Sequence, residues 1–500
     1  SGGRSLDYTI TEFPFFSALL GDLHPHVMAL PFGLLALALA FDAFHWDGVW
    51  WQAHRWRILA SALILGSLFF LNTWDFPTYA AIFIAALGLG MVRYAGGVSR
   101  EVWKRLIAIG ASVLVLAVVL FMPFYVTFRS QASGLLPVST VYSQPLHLFI
   151  FWGPFILLLL GFLLVAWREG FSGSLWGRGP KLLVVLLTLG PFILWALVAL
   201  VLNARGSEQG TAPANVARKL LFLVPWLVLV PVALVGLMRR LKEGSAGYAL
   251  LLLLAALLLT MAVELFFIRD TFGTRMNTVF KFYYQAWLLL SVSCAFGLAW
   301  LVERWPVRAA ARSGAGLWLL VSIGLIAVAL IYPVASLTTE TRSFQGRGTL
   351  DGLSFVAASS PHEYEAQRWL QTQVRGTPVI VEAVGGQYSP YARVSARTGL
   401  PTVIGWPGHE SQWRGSDRLF RGRPEDVDAI YKSEDSSLVR KLLAKYNVSY
   451  VYVGDLERAK YGAQVLDKFS SNFPVAFANQ GVAIYAVKDG LARAQKVAGR

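Results

Sequence analysis

Residues 247–268 read GYALLLLLAALLLTMAVELFFI, an apolar run whose one charge is Glu264. Water does not tolerate such a segment, and in lipid a single segment satisfies its own backbone hydrogen bonds only as a helix. The pattern recurs along the chain, with apolar runs at 27–44, 57–71, 77–94, 105–124, 146–167, 181–202, 219–238, 247–268, 280–302 and 315–338. The run at 57–71 is the shortest. With 56% of its 500 residues hydrophobic and 15% charged, the chain reads as a polytopic membrane protein, an α-helical bundle of about ten spans.

From residue 339 the long runs stop, and Pro, Gly, Ser and charged residues reach the density of a water-soluble domain. The predicted organisation is therefore an outer loop over 1–26, a transmembrane domain over 27–338 and a C-terminal domain over 339–500. That last domain reads as α/β. Ser360, Pro361 and Glu363 predict a capping-box start for a helix to about 374. Strands are expected at 378–383, 401–404 and 448–453, helices at 424–432, 437–446 and 455–468, and closing strands at 474–478 and 482–487. VSYVYV at 448–453 has the pattern of a buried strand, which makes its tyrosines packing residues. Gly454 is expected to permit a tight turn into the next helix, where Asp455 and Glu457 suit the N-terminal dipole.

Charge orients the bundle, because cytoplasmic loops collect Lys and Arg. With residues 1–26 outside, the inner loops hold fifteen basic residues and the outer segments eight. The asymmetry puts the C-terminal domain outside as well. The formal charge of +15 is largely this signal, and neither part has a dense basic stripe or an RNA-binding motif, which argues against a nucleic-acid partner. The single cysteine, Cys294, lies in an apolar run and has no intrachain disulfide partner. The opening SGGRSLDY has neither an initiating Met nor a secretory apolar region, so a preceding span or signal sequence is expected, with Ser1 inside an outer loop.

On this topology the polar residues gather on the outer side. GDLHPH holds Asp22, His24 and His26, and Pro25 disfavours helix at His24, so a turn is expected. Two chemistries fit it. Asp22 can act as a general base toward an acceptor hydroxyl, or Asp22 with His24 or His26 can bind a divalent cation such as Mg or Mn that neutralises a phosphate leaving group. An interfacial anchor is the structural alternative. Asp75 in NTWDFPTY is a second candidate carboxylate or an ordinary turn former. Arg269, Arg275 and Lys281, with Asn277, place cations where orientation prefers few, which suits a phosphate ligand. They equally suit lipid headgroups or pairing with Asp270 and Glu264. In GWPGHESQWRG, the residues Trp406, His409, Glu410, Trp413 and Arg414 mix planar rings with hydrogen-bonding groups, as sugar sites do. A loop closing onto the membrane domain is the competing view. No P-loop, dinucleotide fingerprint, GxSxG elbow or HExxH occurs, against nucleotide hydrolysis, redox and zinc-protease chemistry.

The strings EFPFFSALLGDLHPHVMALPF, LNTWDFPTY, RMNTVFKFYYQAW, GLPTVIGWPGHESQWRG and YVYVGDLERAKY resemble the YYY-domain membrane proteins, a prokaryotic family named for a Tyr-rich motif ending in Gly. Here the motif stands as Tyr450, Tyr452 and Gly454, with Val451 in place of one Tyr, and the resemblance runs from about residue 10 to 487. The layout is similar to GT-C glycosyltransferases, with many spans, an acidic residue in the first outer loop and an outward C-terminal domain. That resemblance implies a prokaryotic cell-membrane enzyme that takes a polyprenyl-phosphate-linked sugar as donor and passes it to a sugar, lipid or protein acceptor. It also implies a span before the acidic loop, so that residue 27 begins the second. The catalytic acid then falls on Asp22, with Glu12 and Asp7 as alternatives, and Arg269, Arg275 and Lys281 hold the donor phosphate. A transporter or flippase of lipid-linked sugars and a non-catalytic subunit of a membrane assembly are the rival readings. Scarce charges within the spans argue against the first.

Overall fold

The computed structural model describes residues 9–21, 24–48, 55–130, 132–139, 141–168, 178–270, 272–304, 309–346 and 348–487. The chain divides between Gln345 and Gly346 into two units. The first is helical, with α1 Leu30–Phe44, α2 Arg55–Leu71, α3 Asp75–Ala95, α4 Arg100–Leu120, α5 Pro145–Arg168, α6 Arg178–Ala204, α7 Val224–Arg240, α8 Ser245–Leu265, α9 Met276–Glu303 and α10 Ala309–Glu340. Among the described residues, nine helices are long and apolar enough to cross a membrane.

The helix outside that set is α2, whose 17 residues reach about 25 Å at 1.5 Å per residue, the lower limit for a span. Its neighbours show the direction in which it runs. A Cβ on Gly33 near the start of α1 would stand 2.7 Å from Tyr79 Oη near the start of α3, and one on Gly90 would stand 2.6 Å from the carbonyls of Ala43 and Phe44 at the end of α1. α1 and α3 are therefore parallel and touch through small residues. The chain returns between them through α2, so the described residues hold nine helices long and apolar enough to span, where the sequence suggests about ten, and one shorter helix that runs back between two of them.

Helix ends follow local chemistry. The predicted span 219–238 is two helices, Pro213–Phe222 and α7, meeting at Leu223. Pro225 in the first turn of α7 lacks the N–H that would continue the earlier helix. Cations collect at the end of the bundle where α1 and α3 finish. Arg57 pairs with Asp42 at 3.2 Å, Arg304 with Glu243 at 3.4 Å, and Arg240 and Arg304 flank the Trp300 ring. At the opposite end, β1 Leu135–Pro137 pairs antiparallel with β2 Phe266–Ile268, which fastens the segment before α5 to the one before α9.

The second unit holds a sheet of order β3-β4-β6-β5, from β3 Val379–Val381, β4 Val448–Val453, β5 Val475–Ala478 and β6 Ala483–Ala486. β3 is parallel to β4, and β4, β6 and β5 are antiparallel neighbours. All six residues of β4 are buried because both faces of the sheet are covered. Tyr450 and Tyr452 enter one core with Leu370 and Ile484, while Val451 and Val453 enter the other with Tyr431 and Phe469, the two-residue alternation of a strand.

Four local expectations for this unit are corrected. Residues 401–404 make only the bridge Ile380–Thr402, since Pro401 has no N–H for a ladder. The helix expected at 455–468 breaks at Gly462, whose φ of +87° ends Asp455–Tyr461 before Ala463–Asn472 begins. The loop at GWPGHESQWRG contains the helix Pro407–Arg414, entered through Pro407. Ser360 makes no side-chain cap, because Glu363 is drawn into a buried network. Arg393 binds Glu363 through Nε at 3.1 Å and Nη2 at 2.7 Å, and Glu457 through Nη1 at 3.2 Å and Nη2 at 2.9 Å. Tyr452 Oη donates to Glu363 at 2.9 Å, and Glu457 accepts from the backbone N–H groups of Ala383 and Gly454.

That network explains Gly454, and the reason is close approach rather than the turn that the sequence suggests. Its φ is −113°, open to any residue, yet a Cβ there would collide with Glu363 Oε1 and stand 3.0 Å from Arg393 Nη2. Gly454→Ala is expected to cost about 1–3 kcal/mol through overpacking, read as a lower melting temperature of the purified protein.

Candidate functional site

The α9 helix carries an ionisable cluster in its second and third turns. Asp75 is the first residue of α3, where a carboxylate suits the helix dipole, and it is only 6% exposed. Its Oδ1 accepts from Gln285 Nε2 at 2.7 Å. The same amide donates to Trp74 O at 3.0 Å and accepts from Thr78 Oγ1 at 2.6 Å. Gln285 thus spends both ends of its side chain on fixing the start of α3 against α9.

Lys281 lies four residues before Gln285, on the same face of the helix. It makes no ion pair or hydrogen bond among the described residues; its Nζ stands 5.2 Å from the Phe280 ring. The charges of Asp75 and Glu12 reach it across the cluster. Glu12 is half-buried and accepts from Ser17 Oγ at 3.2 Å.

His26 sits in the helix Pro25–Met28, 3% exposed. Its ring packs edge-on against Phe280 and Tyr284, with centroids 4.5 and 4.6 Å away, and neither ring nitrogen has a hydrogen-bond partner among the described residues. His24 is exposed, with its ring 5.4 Å from that of His26. Asp22 lies outside the described residues. Among those described, no three His, Cys, Asp or Glu side chains converge as a metal site. The imidazole of His26, buried with free nitrogens, is the described group whose donors fit a cation.

The other expected phosphate ligands have other partners. Arg275 is buried against Glu264, Nη1 to Oε2 at 3.0 Å, and Ser143 donates to Glu264 through Oγ at 2.6 Å and N at 3.1 Å. Lys219 Nζ closes this lock by donating to the carbonyls of Glu264 and Val141 at 2.9 and 3.0 Å. Asn277 donates to Asp270 at 2.6 Å. Arg275 and Asn277 thus hold the 264–278 segment, whereas Arg269 is exposed and Lys281 faces the Asp75 group. Sequence reasoning missed Gln285, Thr78 and Ser143. The available signal was an amide inside the apolar run 280–302, where a polar group needs a partner.

In the C-terminal unit, Trp406, His409, Glu410, Trp413 and Arg414 all line one cleft of about 900 Å³. Trp406 Nε1 donates to Tyr391 O at 2.7 Å, His409 packs edge-on against Trp406 with centroids 4.9 Å apart, and Glu410 pairs with Arg414 at 2.5 Å.

The bundle and its ionisable cluster define a multi-pass helical membrane protein with a separate α/β unit. The chain belongs to the family described as uncharacterized membrane protein (DUF2298), whose sequence profile matches residues 1–290. A search of curated proteins returned no match. Among solved structures, the chain is similar to the apo oligosaccharyltransferase of Archaeoglobus fulgidus, at 16% identity over 95% of this chain and 59% of that one, with a TM-score of 0.36. The archaeal oligosaccharyltransferase AglB from Archaeoglobus fulgidus, in complex with an inhibitory peptide and a dolichol-phosphate, is similar at 17% identity over 94% and 57%, TM-score 0.34. The form tethered to an acceptor peptide with the NVT sequon gives 16% over 94% and 57%, TM-score 0.35. The chain spans less than two-thirds of the length of each.

Proposed function

We propose that this protein is a membrane-embedded glycosyltransferase of GT-C type in a prokaryotic cell membrane. It passes a sugar from a polyprenyl-phosphate carrier to a sugar, lipid or protein acceptor at the outer face, where the C-terminal unit also lies. The observation that carries this reading is the cluster on α9, a carboxylate together with an ammonium that has no ion-pair partner and an imidazole whose nitrogens have no hydrogen-bond partner among the described residues. Ionisable groups are costly at membrane depth and mark function there.

In the reaction, the acceptor oxygen attacks the anomeric carbon, its proton passes to a carboxylate, and the bond from the anomeric carbon to the phosphate oxygen breaks with its electron pair going to the phosphate. Asp22 is the base, with Glu12 and Asp75 as the other candidate carboxylates. Lys281, joined by Arg269, meets the charge that develops on the leaving phosphate. Arg275 and Asn277 serve by positioning the segment that leads into α9. A divalent cation held by Asp22, His24 and His26 would add charge neutralisation at the same phosphate.

An Asp22→Asn variant tests the reading. Membranes carrying it are expected to lose transfer from a labelled polyprenyl-phosphate sugar by about 10²–10⁴-fold, the range for a lost general base, with expression and membrane insertion unchanged. Transfer at the parental rate removes Asp22 from the mechanism.

A further inference from the structure

The cleft in the C-terminal unit has a charge pattern that sugar transfer as such does not require. Trp413 on its wall is 69% exposed, a large indole face left to solvent, and Trp406 is held in place by its bond to Tyr391 O. A ring fixed in this way, beside one open to solvent, offers planar surfaces that suit the apolar face of a pyranose.

The charged groups of the cleft are not equivalent. Glu410 and Arg414 neutralise each other, and Arg393 is spent on Glu363 and Glu457. Arg397 differs. Its guanidinium makes no hydrogen bond or ion pair among the described residues and stands 5.4 Å from the Phe355 ring. The helix that carries it, Arg393–Thr398, starts from Ala392 at a φ of +62°, a left-handed conformation that a non-glycine residue adopts at a cost. Among the described residues, one cation without a hydrogen-bonding or ion-pair partner thus stands in a cleft walled by two indoles.

We infer that this cleft binds a saccharide with an anionic substituent, a carboxylate or a sulfate, the ring stacked on Trp413 and the anion on the Arg397 guanidinium. The inference deepens the transferase reading and rests on it for the saccharide being a substrate; binding is measured apart from transfer.

The full chain in lipid nanodiscs is titrated calorimetrically with a glucuronate-containing disaccharide, a sulfated disaccharide, their uncharged counterpart and an acidic peptide. The expected result is a preference of about tenfold or more for a charged sugar over the neutral one, the gain from a charge-assisted hydrogen bond. Whichever anionic sugar binds tighter identifies the substituent. Arg397→Gln erases the preference at a nearly unchanged melting temperature, since no hydrogen bond or ion pair of the guanidinium among the described residues is lost, and Trp413→Ala weakens all the sugars. Equal affinity for charged and neutral sugars, an Arg397→Gln variant that keeps the preference, or an acidic peptide that binds as tightly as the sugars overturns the inference. Transfer by the parent chain with no saccharide bound overturns the cleft alone, whereas binding without transfer counts against the transferase reading and leaves the cleft assignment standing.

Discussion

An Arg393→Met variant is expected to lose about 3–5 kcal/mol of stability at neutral pH, the cost of leaving buried charges without their partner. Met roughly keeps the length of the side chain and removes every donor. Glu363 and Glu457, both buried, would then face one another with only Tyr452, Gln367 and two backbone N–H groups to satisfy them. The pH dependence gives a second readout. Burial alone pushes the Glu457 carboxyl up, but the charge and hydrogen bonds of Arg393, with the N–H groups of Ala383 and Gly454, outweigh it and hold the group below its usual range. A depressed carboxyl contributes stability that is full above its unfolded value, about 4.3, and lost as pH falls through the folded value. In the variant Glu457 keeps its burial and loses the guanidinium, so its carboxyl is raised instead and acid relieves it. The gap in melting temperature between parent and variant, followed by tryptophan fluorescence, should be widest at neutral pH and narrow on acidification below about pH 5. A gap that is constant across this range would contradict the account.

Lys281→Met is the second large effect. Removal of one preorganised charge from a developing anion costs about 10²–10³ in rate, and transfer by the variant in proteoliposomes should fall by that factor. Stability should hold, because Lys281 has no ion pair to break among the described residues and Met suits its neighbour Phe280. A variant that melts like the parent and transfers at the parental rate sinks the assignment of Lys281 to the leaving phosphate.

The spans were legible because lipid leaves the backbone few choices, and the short run 57–71 forms a helix of 17 residues that returns the chain between the parallel α1 and α3. Their interruptions were legible in part. Pro225 stood in the sequence, but its effect at Leu223 was hidden by the continuous apolar pattern. In the C-terminal unit, the strand at 448–453 followed from its composition. Glu363 was misread as a cap, since a buried guanidinium 30 positions away competes better for a carboxylate than one backbone N–H does. The members of the α9 cluster could be named from sequence, as Asp75, Lys281 and His26 were, whereas their partners could not. Gln285 is 210 positions from Asp75, and no local period encodes such a meeting. Arg275 and Glu264 were seen as a possible couple, yet only their joint burial shows that the couple forms.

The Gln285 clamp has a mechanical corollary. Trp74, Asp75 and Thr78 are all tied to one side chain of α9, a single helical turn from Lys281. If α9 tilts or slides within the bilayer, the opening of α3 travels with it. A shift of α9 thus carries the acid and the ammonium along together, since one is clamped to the helix through Gln285 and the other is part of it.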